Sequence, residues 1–185
     1  IGPFDFSSNH EFGLLVDGFD NPPCVGNPHN SPYFGPMYDK LGFEKAMDWY
    51  AYWLDAGPAP RVIERVSKRF MDRHPEITLR KLDLKRWKDE ILMGWDIYND
   101  AWEHNWGHTE FTYDEYLFKS AALKQIIEPD LCWVAEVNGE PAAFSVTLPD
   151  YNIPAKKMNG RLFPFGWYHF LVGKKKIDVL RILIL

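Results

Sequence analysis

The chain is poor in cysteine, has no glycine pair of the G-x-G kind, no long apolar run and no surplus of positive charge. Cys24 and Cys132 are its 2 cysteines among 185 residues, too few for a disulfide framework. Each stands in an apolar stretch and reads as a reduced core thiol. No window reaches the ~18 consecutive apolar residues of a membrane span. The formal charge is −5, from 21 Lys plus Arg and 26 Asp plus Glu. That balance argues against nucleic acid as the main partner, because such binding needs a basic face. No H-E-x-x-H metal motif, fixed-period repeat or low-complexity tract occurs. An apolar fraction of 46% excludes a disordered chain. Aromatics are abundant at 16%, with 8 Trp.

The pattern along the chain predicts loop and short strands over residues 1–30, including the apolar run Gly13–Val16. A short helix follows over about 34–41, with Pro36 in its first turn and Gly42 as a left-handed cap. Phe34, Met37, Tyr38 and Leu41 share one of its faces. The aromatic stretch Asp48–Leu54 reads as a strand. Gly57-Pro58-Ala59-Pro60 reads as a linker. Residues 61–73 form a basic amphipathic helix ending before Pro75, with Val62, Ile63, Val66, Phe70 and Met71 on one side. A basic helix suits a membrane or nucleic acid, but in an acidic chain its charged side reads as a solvated face.

Residues 77–82 alternate as a strand should. Asp83 then caps a long helix running to about Asn105, with its stripe at Leu84, Trp87, Ile91, Leu92, Trp95, Tyr98 and Trp102. Thr112–Glu115 is a capping box opening a second helix, which Pro129 stops. Two strands, 131–137 and 142–148, flank Asn138-Gly139, the favoured type I′ pair. A polar connection leads to a last strand from about Ile177. The fold class is therefore α+β. Both ends read as cuts in a longer chain, since Ile1 is no initiator and residues 179–185 are strand-like to the end.

This order, with Trp133-Val134-Ala135-Glu136-Val137-Asn138-Gly139-Glu140-Pro141-Ala142-Ala143-Phe144, resembles the first half of the GNAT superfamily of N-acetyltransferases. There an "A-E-x-x-G-x-x-V/A-G/A-F" hairpin forms strands two and three. Met37–Lys45 is similar to the "L-Y-x-x-x-G-F" helix near the other end of that fold. Gly13–Asp20, Tyr98–Trp102, Asn105–Gly107 and Pro149–Asn152 look like stretches of a bacterial GNAT-like subfamily. The resemblance implies a mixed, mainly antiparallel sheet flanked by helices and incomplete in this chain. It implies that residues 1–57 are the C-terminal part of one unit, 58–76 a linker and helix, and 77–185 the N-terminal part of a second unit. The alternative is that both halves pack as one composite domain.

The implied activity is acyl-CoA-dependent transfer to an amine, with acetyl-CoA as co-substrate. GNAT proteins hold its pyrophosphate on a loop similar to "R/Q-x-x-G-x-G/A" at a helix N-terminus. The 13 glycines here never stand two apart, so tight CoA binding by this chain is not expected. The chain by itself is then expected to be inactive. The rival class is a non-catalytic ligand- or protein-binding module.

Acyl transfer needs a base for the ammonium, polarisation of the carbonyl and an acid for the leaving thiolate. The resemblance puts Tyr38 in the acid's place; a tyrosine on an apolar stripe also simply packs. Tyr98, Asn99, Trp102, Asn105 and Trp106 fall where GNAT folds cover the acceptor. They form either an amine slot or a core tryptophan with capping asparagines. Asp150 and Asn152 either line a cleft or supply turn chemistry. His29-Asn30 is ambiguous in the same way. Glu103, His104, His108 and Glu110 look like metal ligands but read as solvated loop residues around Gly107. The remaining expectations are a small-molecule amine substrate, no nucleic acid or membrane partner, a cytoplasmic location, and a homodimer formed by uncovered strand edges.

Overall fold

The computed structural model describes residues 2–185. Its centre is one antiparallel sheet of four strands in sequence order, β1 (Ile77–Lys81), β2 (Cys132–Val137), β3 (Glu140–Pro149) and β4 (Leu180–Ile184). The β2–β3 hairpin turns on Asn138 (φ 54°) and Gly139 (φ 84°), the left-handed pair that a type I′ turn requires. The register slips between Ala135 and Glu136, next to Pro141, whose missing N–H is tolerated at a bulge. A second slip falls between Val146 and Thr147, where β4 pairs with β3.

Helices α1 (Phe34–Lys40) and α2 (Arg61–Arg73) precede the sheet. Helices α3 (Trp87–Trp102) and α4 (Tyr113–Leu123) connect β1 to β2. Helices α5 (Asn152–Lys156) and α6 (Gly166–Lys174) connect β3 to β4. None of the described helices is long and apolar enough to cross a membrane.

The core lies where α3 and the turns after α4 cover the sheet. Trp87, Ile91, Ile127, Cys132, Val146 and Leu148 form it, and Cys132 and Val134 are fully buried. The Cys132 thiol is thus the expected core thiol. Cys24 is only half-buried and belongs to a polar cluster described below. Gly94 lets α4 approach α3: a Cβ there would lie 2.8 Å from Tyr116 Oη. Thr112 and Glu115 form the reciprocal capping box at the start of α4, which contributes about 1 kcal/mol. Below the core, Arg80 donates to Glu136 (2.6 Å) and to Glu90 (2.7 Å). The Glu90 side chain is 2% exposed, and its Oε2 has no partner.

The fold departs from the sequence reading in five places. Asp48–Leu54 is not a strand: residues 43–60 have no regular structure and are exposed, and no described strand pairs with them. Around Gly13–Val16 there is only one isolated bridge, Phe4 to Phe12, because the Asn30 side chain takes both backbone groups of Leu15. Asp83 caps a 3-10 turn, Leu84–Arg86, ahead of α3, which ends at Trp102 rather than Asn105. Helix α4 stops at Leu123, well before Pro129. Gln125 and Ile126 donate three residues back, and this tightening turns Ile127 into the core. The connection after β3 holds α5 and α6. Helix α6 (GWYHFLVGK) is apolar nearly all round, so no stripe announces it.

On α1, Phe34 and Tyr38 are half-buried while Met37 and Leu41 are exposed. On α2 no residue is buried, and Met71 is its one half-buried member.

Candidate functional site

The sequence-predicted residues fall in three places. The first is the end of α3 and the loop that folds back on it. Tyr98 and Trp102, one turn apart, stack with ring centroids 5.4 Å apart at 14°. Phe111 and Tyr116 pack against Tyr98, and the His108 ring lies 6.1 Å from it. Asn99 holds the Phe111 peptide from both sides: its Nδ2 donates to the carbonyl (3.0 Å) and its Oδ1 accepts from the N–H (2.9 Å). Trp95 Nε1 donates to the same carbonyl at 2.7 Å. Asn99 is therefore a loop clamp and not a free ligand group.

Asn9, from the N-terminal segment, joins this cluster. It accepts from Tyr98 Oη (3.3 Å), donates to the Thr109 carbonyl (2.6 Å), and its own carbonyl accepts from Lys119 Nζ. Burial pushes the Tyr98 phenol up; burial, with the Tyr98 charge adding, pushes Tyr116 up strongly. Burial pulls the Lys119 ammonium down, against the opposing pull of Glu11 and Glu115. These aromatic rings fill their own space. The members left facing water are Asn105 and Trp106.

The second place is a cleft of about 180 Å³ in the N-terminal half, lined by Phe4, Phe12, Phe34 and Tyr38 with Asp5, Glu11 and His29. Tyr38 meets Phe43 edge-on at 5.2 Å. This cleft is linked to the first place by rings. Phe12 meets Trp49 edge-on at 5.3 Å, and Trp49 lies 6.5 Å from Trp106. Tyr38 lines the cleft at one end of this path, and Trp106 stands at the other end.

The third place is separate in its contacts. Asp150 is buried and its Oδ1 accepts from Val25 N (3.0 Å) and Asn152 N (3.2 Å). Asn152 Nδ2 donates to the Pro23 carbonyl at 2.8 Å. The Arg181 guanidinium donates to the Val25 carbonyl. Burial, then the charge and hydrogen bond of Asp150, push the Cys24 thiol up, which makes it a poor nucleophile. Burial pulls Arg181 down, opposed by Cys24 and Asp150. Asp150 and Asn152 do line a cleft, about 380 Å³, with Pro22, Pro23, Lys156 and Lys157. The Asn152 N–H bond to Asp150 Oδ1 is turn chemistry, and their other hydrogen bonds go to residues 23–25.

Asn9, Arg181 and Lys119 carry these contacts and were not singled out in the sequence. Their partners lie 89 to 156 residues away, so no local pattern marks them. Among the described residues no three His, Cys, Asp or Glu side chains converge as a metal site. Nor do the residues present fit the phosphates of a CoA. No helix start carries a spaced glycine pair, and Gly166 at the start of α6 is closed by the Arg161 carbonyl, 1.9 Å from where a Cβ would sit.

No family model and no solved structure matches the chain. Two relatives do. Protein YghO of Escherichia coli (strain K12) is 36% identical over 171 residues. The bacterial ceramide synthase of Caulobacter vibrioides (strain NA1000 / CB15N) is 41% identical over 172 residues. Each alignment covers 92% of this chain but only 43% and 44% of the two relatives, so the chain spans under half of their length.

Proposed function

We propose that this chain is part of an acyl-CoA-dependent N-acyltransferase with a GNAT-like fold. The observation that carries the reading is the similarity to bacterial ceramide synthase along nearly the whole chain. The element order supports it: strand, two helices, hairpin and a further strand, all in one antiparallel sheet. A ceramide is an amide of a long-chain amino alcohol, so its synthesis joins an acyl group to an amine nitrogen. We extend that reaction class to this protein, with the amine itself unassigned.

In this reading the N–C bond forms as the thioester C–S bond breaks, and the thiolate leaves with a proton. No step is routed through residues that hold the donor, because none here fits its phosphates. The chain's own contribution is an acceptor wall: Trp102, Asn105 and Trp106 at and just beyond the end of α3, with Trp102 stacked on Tyr98. Tyr38, at the far end of the aromatic path, is the proposed proton donor on the strength of its motif. The uncovered edges of β1 and β4 support a homodimer. A cytoplasmic location belongs to the same proposal.

Calorimetric titration of the whole parent protein with acetyl-CoA and a long-chain acyl-CoA tests the reading. Micromolar binding of either, with thiol release when a long-chain amino alcohol is added, is the expected result. Silence toward both donors favours the binding module instead. For residues 1–185 alone no donor binding is expected, and a clear micromolar signal overturns the placement of the phosphate loop elsewhere.

A further inference from the structure

Apart from the half-buried Met71 at its end, the apolar side of helix α2 is left uncovered by the described residues. Val62, Ile63, Val66 and Phe70 are 61%, 55%, 58% and 49% exposed. Val62, Val66 and Phe70 stand four apart and make one row along the helix. Arg65, Arg69 and Arg73 make a second row beside it. Five basic residues (Arg61, Arg65, Lys68, Arg69, Arg73) against two acidic ones (Glu64, Asp72) put the helix at +3. The formal charge of the chain is −5, so the remaining residues together stand at −8. Just before the helix, Tyr50, Tyr52, Trp53 and Leu54 are exposed as well.

We propose that α2 and the aromatic stretch before it form an interfacial surface that docks on an anionic lipid bilayer. The apolar row enters the boundary between acyl chains and headgroups, and the arginine row reaches the lipid phosphates beside it. Tyr50, Tyr52 and Trp53 sit at headgroup level, where amphipathic rings collect. At 13 residues the helix is too short to span a bilayer, so it lies in the plane of the surface. Three arguments select this occupant. The local charge is opposite to that of anionic lipid and to the rest of the chain. Nucleic acid would satisfy the arginines but leave Val62, Val66 and Phe70 in water. A second copy of α2 would bring two positive rows together. This docking runs against the expectation of no membrane partner. The surface shares no residue with the three clusters above, so it stands or falls apart from the acyltransferase reading.

The test is co-sedimentation of the protein with vesicles of phosphatidylcholine alone and vesicles that also contain phosphatidylglycerol. Partition onto the phosphatidylglycerol vesicles, weakened by salt and accompanied by a blue shift of tryptophan emission, is the expected result. Arg65→Gln with Arg69→Gln should weaken that partition roughly twentyfold at physiological salt. Val66→Asn with Phe70→Asn should abolish it. Both variants should keep the wild-type circular dichroism and urea midpoint, since neither touches a buried group. Absence of partition, equal partition on both vesicle types, or wild-type partition by the double arginine variant overturns the proposal. So does a gel-filtration dimer that Val66→Asn/Phe70→Asn disperses without any vesicle binding, which assigns the face to a second copy.

Discussion

Residues 2–33 and residues 43–73 are two stretches of similar length, and neither contributes a strand to the sheet. The first has 10 apolar residues in 32 and the second 16 in 31, yet it is the poorer one that docks. The first is stitched to the rest of the molecule by a few polar groups. Asn9 reaches Tyr98, Thr109 and Lys119; Pro23 and Val25 are held by Asn152, Asp150 and Arg181. The second is exposed almost throughout, with Met71 its one half-buried residue outside 43–60. Apolar content alone did not decide which stretch docks. Directional hydrogen bonds did, above all the one to buried Asp150, because a misplaced strap would leave that carboxylate a donor short at a cost of roughly 1–3 kcal/mol.

The difference can be broken from the docked side. The Arg80–Glu90 pair sets the upper bound. Glu90→Ala removes the more buried of the two carboxylates on Arg80, leaves Glu136, and should cost about 3 kcal/mol in a urea melt. Asp150→Ala frees the Val25 and Asn152 amides and should cost about 3 kcal/mol. It should also make residues 22–30 exchange amide hydrogens as fast as residues 43–60; protection retained at 22–30 would show that another contact docks the strap. Asn99→Ala should cost about 2 kcal/mol by unpairing the Phe111 N–H, with Trp95 still holding the carbonyl.

Alkaline pH gives a milder test. Tyr98 and Tyr116 have their folded pKa values raised by burial, so the native state keeps protons that the unfolded state releases. Their contribution is fully present below the unfolded value of about 10 and is lost as pH rises through the folded values. The urea midpoint should therefore fall above about pH 10, and Tyr98→Phe with Tyr116→Phe should flatten the fall. The smallest effect belongs to the undocked side: Val66→Asn with Phe70→Asn should move stability by no more than about 0.5 kcal/mol. A larger loss would mean that α2 packs on the molecule after all.

The same contrast explains what could be read from the sequence. Local signals were legible: the Asn138-Gly139 turn, the Thr112–Glu115 box, Gly42 after α1 and Pro75 after α2 each act within a few residues. The order of elements from residue 77 onward followed from those signals. The strand assigned to 48–54 failed because alternating aromatics specify a strand only when a partner offers its edge. Helices α5 and α6 were hidden by a lack of apolar period, and the tightening at Gln125–Ile126 carries no signature of its own. Within the candidate site, the residue types at 98–106 and 150–152 were legible as special. Their division into clamps (Asn99, Asp150, Asn152) and open positions (Asn105, Trp106) was not, because it depends on Asn9, Pro23, Val25 and Phe111.

The bond from Arg181 to the Val25 carbonyl also sets an order of events during synthesis. Residues 22–26 leave the ribosome long before residue 181 exists, so this contact closes only after Asn9 has met Tyr98, Thr109 and Lys119 and residues 23–25 have met Asp150 and Asn152. Closure is then a late step that joins the chain's early and late parts. A nascent protein halted before residue 98 should have its first thirty residues still open to proteases.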